Sequence, residues 1–355
     1  MRLKVITFGV FAAAFCSAFG FGNARLGVRV IDSETGHPLS GLRVHGGFLN
    51  YSPGWGVAAK DNGDEKITDQ EGFCRLSGNT ERGESCCIVR GNEGFYNSGW
   101  YSFDYKERSL LKLGRWLPDD VVVTVRLDRV INPMPMYVRV ATGEYRERSP
   151  TYYELSIKKR NFAVTNDVPV ITNEKLAYDL IKGSWLPPHG DGEVCDIQFV
   201  FDEEVIGWKE GRGDGGTYAT KMYRTTASIS LPGRGNGIIE MPVRKNAGIK
   251  LRSAPEGGYE HNISRWRGWF GGGDGDKTDC DKNRGYAFRV RTEYDDKGNI
   301  KSALYGKIYG DFDMLDIEGV RFLYYLNPTP NDRNLEWDMK HNLCSDPGDI
   351  SQPQP

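Results

Sequence analysis

From Phe288 to Tyr294 apolar or β-branched side chains alternate with charged ones. Tyr286, Phe288, Val290, Thr292 and Tyr294 stand against Arg289, Arg291 and Glu293. A period of two marks a strand with one face buried. The same rhythm recurs at Leu26, Val28 and Val30, at Val121, Val123, Val125 and Leu127, and at Cys195, Ile197, Phe199 and Phe201. Ile300–Phe312 and Val320–Leu326 read as two more strands. Asp295-Asp296-Lys297-Gly298-Asn299 supplies the hairpin connection into the first of them. One segment breaks the rhythm. Leu176, Ala177, Leu180 and Ile181 are spaced for one face of a helix, and Gly183 follows where a helix would stop. This predicts a helix over Glu174–Lys182. The chain is therefore expected to be all-β: a transthyretin/Ig-like sandwich followed by a larger, jelly-roll-like sandwich with one short helix.

The ends carry different patterns. Arg2 and Lys4 precede an uncharged apolar run from Val5 to Phe21, and Asn23-Ala24 closes it at a small residue. Residues 1–24 read as a secretory signal peptide with its exit at Ala24, which places the protein outside the cell or in the periplasm. An uncleaved anchor and a lipidated Cys16 are the alternatives, although Phe15 stands where a lipidation signal wants a small residue. No later run approaches the length of a membrane span. Pro133-Met134-Pro135 suits a linker, because proline cannot donate to a ladder. The expected domains are thus 25–132 and 137–344, with a frayed Pro- and Gln-rich tail at 345–355.

The run "VRVIDSETGHPLSGLRV", followed by "TDQEG", resembles the carboxypeptidase regulatory-like domain, a transthyretin-like β-sandwich. The likeness lies in a strand, a D-x-x-T-G-x-P-L-x-G turn, a second strand and a T-D-x-x-G turn. It covers Arg25 to about Arg129. It implies an accessory module and assigns no activity, since such domains accompany enzymes, transporters and adhesins. The run "FLYYLNPTPNDRNLEWD" resembles a tail of uncharacterised exported bacterial proteins, again without an activity.

Composition narrows the function classes. The formal charge is −2, and loss of Arg2 and Lys4 with the leader takes it to −4. Mild acidity argues against an electrostatic grip on nucleic acid. Of seven cysteines, Cys16 leaves with the leader. Cys74, Cys86, Cys87, Cys195, Cys280 and Cys344 remain as disulfide candidates, with Cys74 to Cys86 or Cys87 the foremost pair. The other reading is buried free thiols that pack as small hydrophobes.

Candidate chemistry concentrates in residues 259–281. Trp266-Arg267-Gly268-Trp269 can present rings to the apolar C–H faces of a sugar and a guanidinium to its hydroxyls, with Tyr259 and His261 close by. The competing reading has both tryptophans filling a core. Asp274, Asp276, Asp279 and Asp281 fall in a Gly-rich loop of a kind that can offer oxygens to calcium. The EF-hand glycine and terminal glutamate are missing, so an ordinary solvated turn competes. Asp202-Glu203-Glu204 is an acid cluster expected at a strand end. No second acid is marked as its catalytic partner. The five histidines are scattered, and no Cys-x-x-Cys or H-E-x-x-H spacing exists, so no catalytic residue is assigned. The residues are those of a non-enzymatic binding protein whose partner is a glycan or a cell-surface protein. A carbohydrate-active hydrolase and a structural envelope component are the alternatives.

Overall fold

The computed structural model describes residues 22–348 and 350, apart from 51–59, 62, 93, 110–113, 145–173, 214–215, 243–250, 272–274, 282 and 316–318. The chain divides into two compact units that meet in sequence at Ile131 and Asn132. The described residues are all-β and contain no helix. The expected leader lies almost entirely outside them.

The first unit runs through β1 (Gly22–Asp32), β2 (Arg43–Asn50), β3 (Lys60–Asp61), β4 (Asp64–Ile67), β5 (Phe73–Thr80), β6 (Glu84–Arg90), β7 (Tyr101–Asp104), β8 (Glu107–Ser109), β9 (Arg115–Leu117) and β10 (Val122–Leu127). One sheet has the order β10-β1-β5; the other has β3-β2-β6-β7, with β4 also paired to β2. Alternation decides what lies between them. Ala24, Leu26, Val28 and Val30 of β1, Leu76 of β5 and Val125 of β10 share one core with Val44 and Phe48 of β2 and Val89 of β6. Asp32 ends β1 inside this core. Its Oδ1 accepts the amides of Glu34 and Thr35 at 2.8 and 3.1 Å and its Oδ2 accepts Arg129 Nε at 2.6 Å. Burial raises its pKa, but the two amides and the guanidinium outweigh that and leave it below the usual carboxylate value.

The second unit comprises β11 (Met134–Glu144), β12 (Glu174–Asp179), β13 (Ser184–Trp185), β14 (Ile197–Gly213), β15 (Gly216–Ser230), β16 (Gly237–Pro242), β17 (Asn262–Trp269), β18 (Asp276–Thr278), β19 (Arg284–Tyr294), β20 (Ile300–Leu315), β21 (Gly319–Leu326) and β22 (Trp337–Asn342). Two six-stranded sheets form, β16-β19-β20-β21-β11-β22 and β13-β12-β14-β15-β17-β18. Tyr286, Phe288, Ile308, Phe312, Phe322 and Tyr324 of the first sheet meet Leu176, Tyr178, Phe199, Phe201 and Ile229 of the second. The opposite side of the first sheet is covered too. There Leu251, Ala254 and Leu335 pack on Ala287, Ala303 and Tyr305.

The helix expected over Glu174–Lys182 is strand β12 and the turn after it. Leu176, Tyr178 and Leu180, at a period of two, enter the core, and β12 pairs antiparallel with β14 from Glu174↔Phe201 to Tyr178↔Ile197. A sheet partner outweighs a weak local preference. Gly183 does take a left-handed backbone, φ 65°, but closes the turn into β13. Part of the segment expected to fray is held: Val140 N donates to Pro347 O at 3.0 Å and Arg139 Nη1 to Asp346 O at 2.5 Å.

Candidate functional site

β17 is a strand, so neighbours along it alternate between faces. Ile263 and Arg265 point into the sandwich, where Ile263 joins the core and Arg265 donates to Asp311. Trp266 therefore points outward. It is half-buried and stands opposite Thr226 of β15. The Arg224 guanidinium lies 4.8 Å from its ring centroid, and Phe270 meets it edge-on at 6.0 Å. Asp279 fixes the backbone beneath: Trp266 N donates to Asp279 Oδ1 at 2.7 Å, and Thr278 Oγ1 donates to Trp266 O at 2.9 Å.

Register carries the outward face across the sheet. Trp266, Thr226 and Asp202 form one row; Gly268, Arg224 and Glu204 form the next. On the other side of Trp266 lie Ser264, Ser228, Val200 and Lys175, then Asn262, Ser230, Gln198 and Ala177. The result is an aromatic ring set in a field of hydroxyls, amides, carboxylates and a guanidinium. Arg224 and Thr226 carry no motif, and only their register with Trp266 reveals them, whereas Asp202 belongs to the acid cluster already visible in the sequence.

The other sequence candidates separate from this face. Arg267 and Trp269, at odd spacing from Trp266, take the opposite side. Arg267 Nη1 donates to Met314 O at 2.7 Å and Nη2 to Asp276 Oδ2 at 2.8 Å, so it straps β17 to β20 and β18. Trp269 is half-buried beside Gly275. Tyr259 belongs to the satellite cluster around Leu251 and Tyr305; its hydroxyl donates to Pro255 O at 2.8 Å, and burial pushes its pKa up. His261 is exposed. The structure does not bring Trp266, Trp269 and Tyr259 together into one platform.

The three described aspartates have separate partners. Asp274 lies outside the described residues. Asp276 pairs with Arg267, Asp279 holds the Trp266 amide, and Asp281 accepts Asn283 N and Nδ2, each at 2.9 Å. Among the described residues no group of three His, Cys, Asp or Glu side chains could hold a metal ion. Asp202-Glu203-Glu204 does not end a strand, since β14 continues to Gly213. Glu203 turns inward and is buried, while Asp202 and Glu204 lie side by side on the open face rather than on two walls of a cleft.

The six cysteines from Cys74 onward are free thiols. Cys74 and Cys87 lie in the core of the first unit, whereas Cys86, next along β6, faces the other way and donates weakly to Gly47 O at 3.7 Å. Cys280 Sγ donates to Phe312 O at 3.0 Å. Burial raises the Cys74 thiol to about 11 and that of Cys87 to about 12.

The densest polar construction is structural. Asp311 accepts Arg265 Nε at 3.0 Å, Arg284 Nη1 at 2.8 Å, Tyr286 OH at 2.7 Å and the amides of Asp281 and Phe312 at 2.9 Å each. It ties β17, β19 and β20 together behind the Trp266 face.

No family model matches this chain, and no curated protein matches it. Solved structures give distant likenesses. The Bacillus anthracis TIE protein aligns with 61% of this chain at 10% identity and a TM-score of 0.23, and the aligned part spans 29% of that protein. The full-length major pilin SpaD of Corynebacterium diphtheriae aligns over 88% of this chain and 84% of its own, at 9% identity and a TM-score of 0.23. The shaft pilin SpaA of Lactobacillus rhamnosus GG aligns over 61% and 90%, at 11% identity and a TM-score of 0.19. No helix among the described residues is long and apolar enough to cross a membrane.

Proposed function

We propose that the chain is an exported, non-enzymatic binding protein that recognises a glycan on the outer face of the β13-β12-β14-β15-β17-β18 sheet. The observation that supports it is the setting of Trp266. Its ring lies on a broad sheet face, polarised by Arg224 and bordered by Thr226, Ser264, Ser228 and Asn262. A sugar ring offers an apolar C–H face to an aromatic and hydroxyls to such a border. An indole beside hydrogen-bonding groups suits both. The sheet is pinned from behind by Asp311, so little ordering would be required on binding. Export is supported by the charge and hydropathy pattern of the leader. The first unit is read as the carboxypeptidase regulatory-like module that its sequence resembles, carried as an accessory sandwich.

A glycan array probed with the leaderless chain tests this. Retention by the unaltered protein, lost in Trp266→Ala and kept in Trp269→Ala, is the expected pattern. Absence of any retained glycan removes the reading.

A further inference from the structure

From Cys16 onward the leader has four exits with small residues at the last and third-from-last positions, the pattern a leader peptidase reads: Cys16-Ser17-Ala18, Ala18-Phe19-Gly20, Gly20-Phe21-Gly22 and Gly22-Asn23-Ala24. The fold discriminates among them. Gly22, Asn23 and Ala24 are the first residues of β1 and pair antiparallel with Thr80, Asn79 and Gly78 of β5. Ala24 is fully buried in the core of the first unit. Gly22 is packed so closely that a Cβ there would lie 2.6 Å from both Trp116 Nε1 and Gly114 O. That indole in turn donates to the carbonyl of Thr80, the partner of Gly22, at 2.9 Å. A side chain at this position would displace Trp116 or Gly114. An exit at Ala24 would strip all three residues from β1, and an exit at Gly22 would remove Gly22; either would uncover Trp116 and open the end of β5.

We propose that the leader is removed at the Gly20–Phe21 peptide bond, the last of these exits that leaves β1 whole, so that the mature chain keeps Gly22–Ala24. Water adds across the bond: Gly20 leaves with the new carboxylate, and Phe21 gains the new α-ammonium group. The inference rests on the export reading, and the following experiment separates the two.

The full chain is expressed with its own leader in a secreting host, and the protein recovered from envelope or medium is examined by intact mass and N-terminal sequencing. The expected terminus is Phe21. A start at Arg25, or at any residue within 2–24 other than Phe21, overturns the assigned bond while leaving export standing. Retention of Met1 overturns both. Gly20→Arg, which spoils both exits that use Gly20, should abolish the Phe21 terminus; a Phe21 start in this variant also overturns the proposal. As a readout independent of export, mature chains beginning at Phe21 and at Arg25 are compared by thermal melting. The Arg25 form should melt lower by roughly 5 °C. Equal melting temperatures would remove the structural ground for choosing between the exits.

Discussion

Lys307 carries its ammonium 4.9 Å from the centroid of the Tyr325 ring, in a side chain with no surface exposed to solvent. Both residues lie on the covered outer side of the β16–β22 sheet, directly paired across β20 and β21. Burial pushes the Lys307 pKa down to about 7; Glu336 opposes that shift and Arg252 adds to it. In the unfolded chain a lysine keeps its proton to about pH 10.4. Below pH 7 both states are protonated, and the folded state carries the whole cost of the buried charge. Between pH 7 and about 10 the unfolded state binds the extra proton, so stability should rise with pH across that window. Urea melts from pH 6 to pH 10 check this. Lys307→Met should flatten the rise and stabilise the protein at pH 6 by about 1 kcal/mol or more.

Asp311 gathers two guanidiniums, one phenol and two amides, so its loss should be severe. Asp311→Ala leaves Arg265 and Arg284 with only the half-exposed Glu240 carboxylate between them, and is expected to cost about 3–5 kcal/mol. Burial raises its pKa, but the donors from Asp281, Tyr286, Arg284 and Arg265 outweigh that and hold it below the usual carboxylate value. This contribution is present in full above the unfolded value of about 4 and is lost as pH falls through the folded one. Wild type should therefore lose more stability than Asp311→Asn on acidification below pH 4, as followed by circular dichroism.

Trp266 and Trp269 should separate in stability as well as in binding. Trp266→Ala removes an outward ring and should change unfolding free energy by no more than about 1 kcal/mol. Trp269→Ala vacates space beside Gly275 and should cost roughly 2 kcal/mol, less than the 3–5 kcal/mol of a fully buried tryptophan. Denaturant midpoints for the two variants provide the check. Equal losses would mean that strand alternation does not govern these positions.

The thiols of Cys74 and Cys87 should resist alkylation in the native state, because both are buried and only the thiolate reacts. Labelling with iodoacetamide before and after denaturation, read residue by residue by mass spectrometry, should show both blocked only after unfolding. Rapid native labelling of Cys87 would contradict its place in the core. Reagent-resistant Cys74 and Cys87 after unfolding without reductant would reveal a bridge between them.

The strands were legible wherever large apolar side chains enter the sandwich core at a period of two. Tyr286, Phe288 and Val290 announce β19 in this way, and Ile197, Phe199 and Phe201 announce β14. The segment at Leu176 misled because a short apolar run satisfies both periods, and only pairing with Phe201, far along the chain, selects the strand. The face around Trp266 was half legible. Its indole stands out, but Thr226, Asp202 and Arg224 become its neighbours through register, which no local pattern encodes. The same holds for Asp311, whose guanidinium partners lie 27 and 46 residues away.

The first strand among the described residues is the middle strand of its sheet. β1 lies between β5 and β10, and its parallel ladder with β10 joins Gly27 to Val122, continuing to Asp32 and Leu127. A chain that emerges from a ribosome or a translocation pore N-terminus first presents β1 long before β10 exists. One flank of β1 must wait, unzipped, through the passage of nearly the whole unit. Contacts of such long sequence separation close slowly, because loop entropy is lost before pairing returns it. Completion of the first sandwich is therefore timed by the arrival of its last strand. A chain stalled or truncated before Leu127 would expose the hydrogen-bonding edge of β1 to any other extended strand in reach.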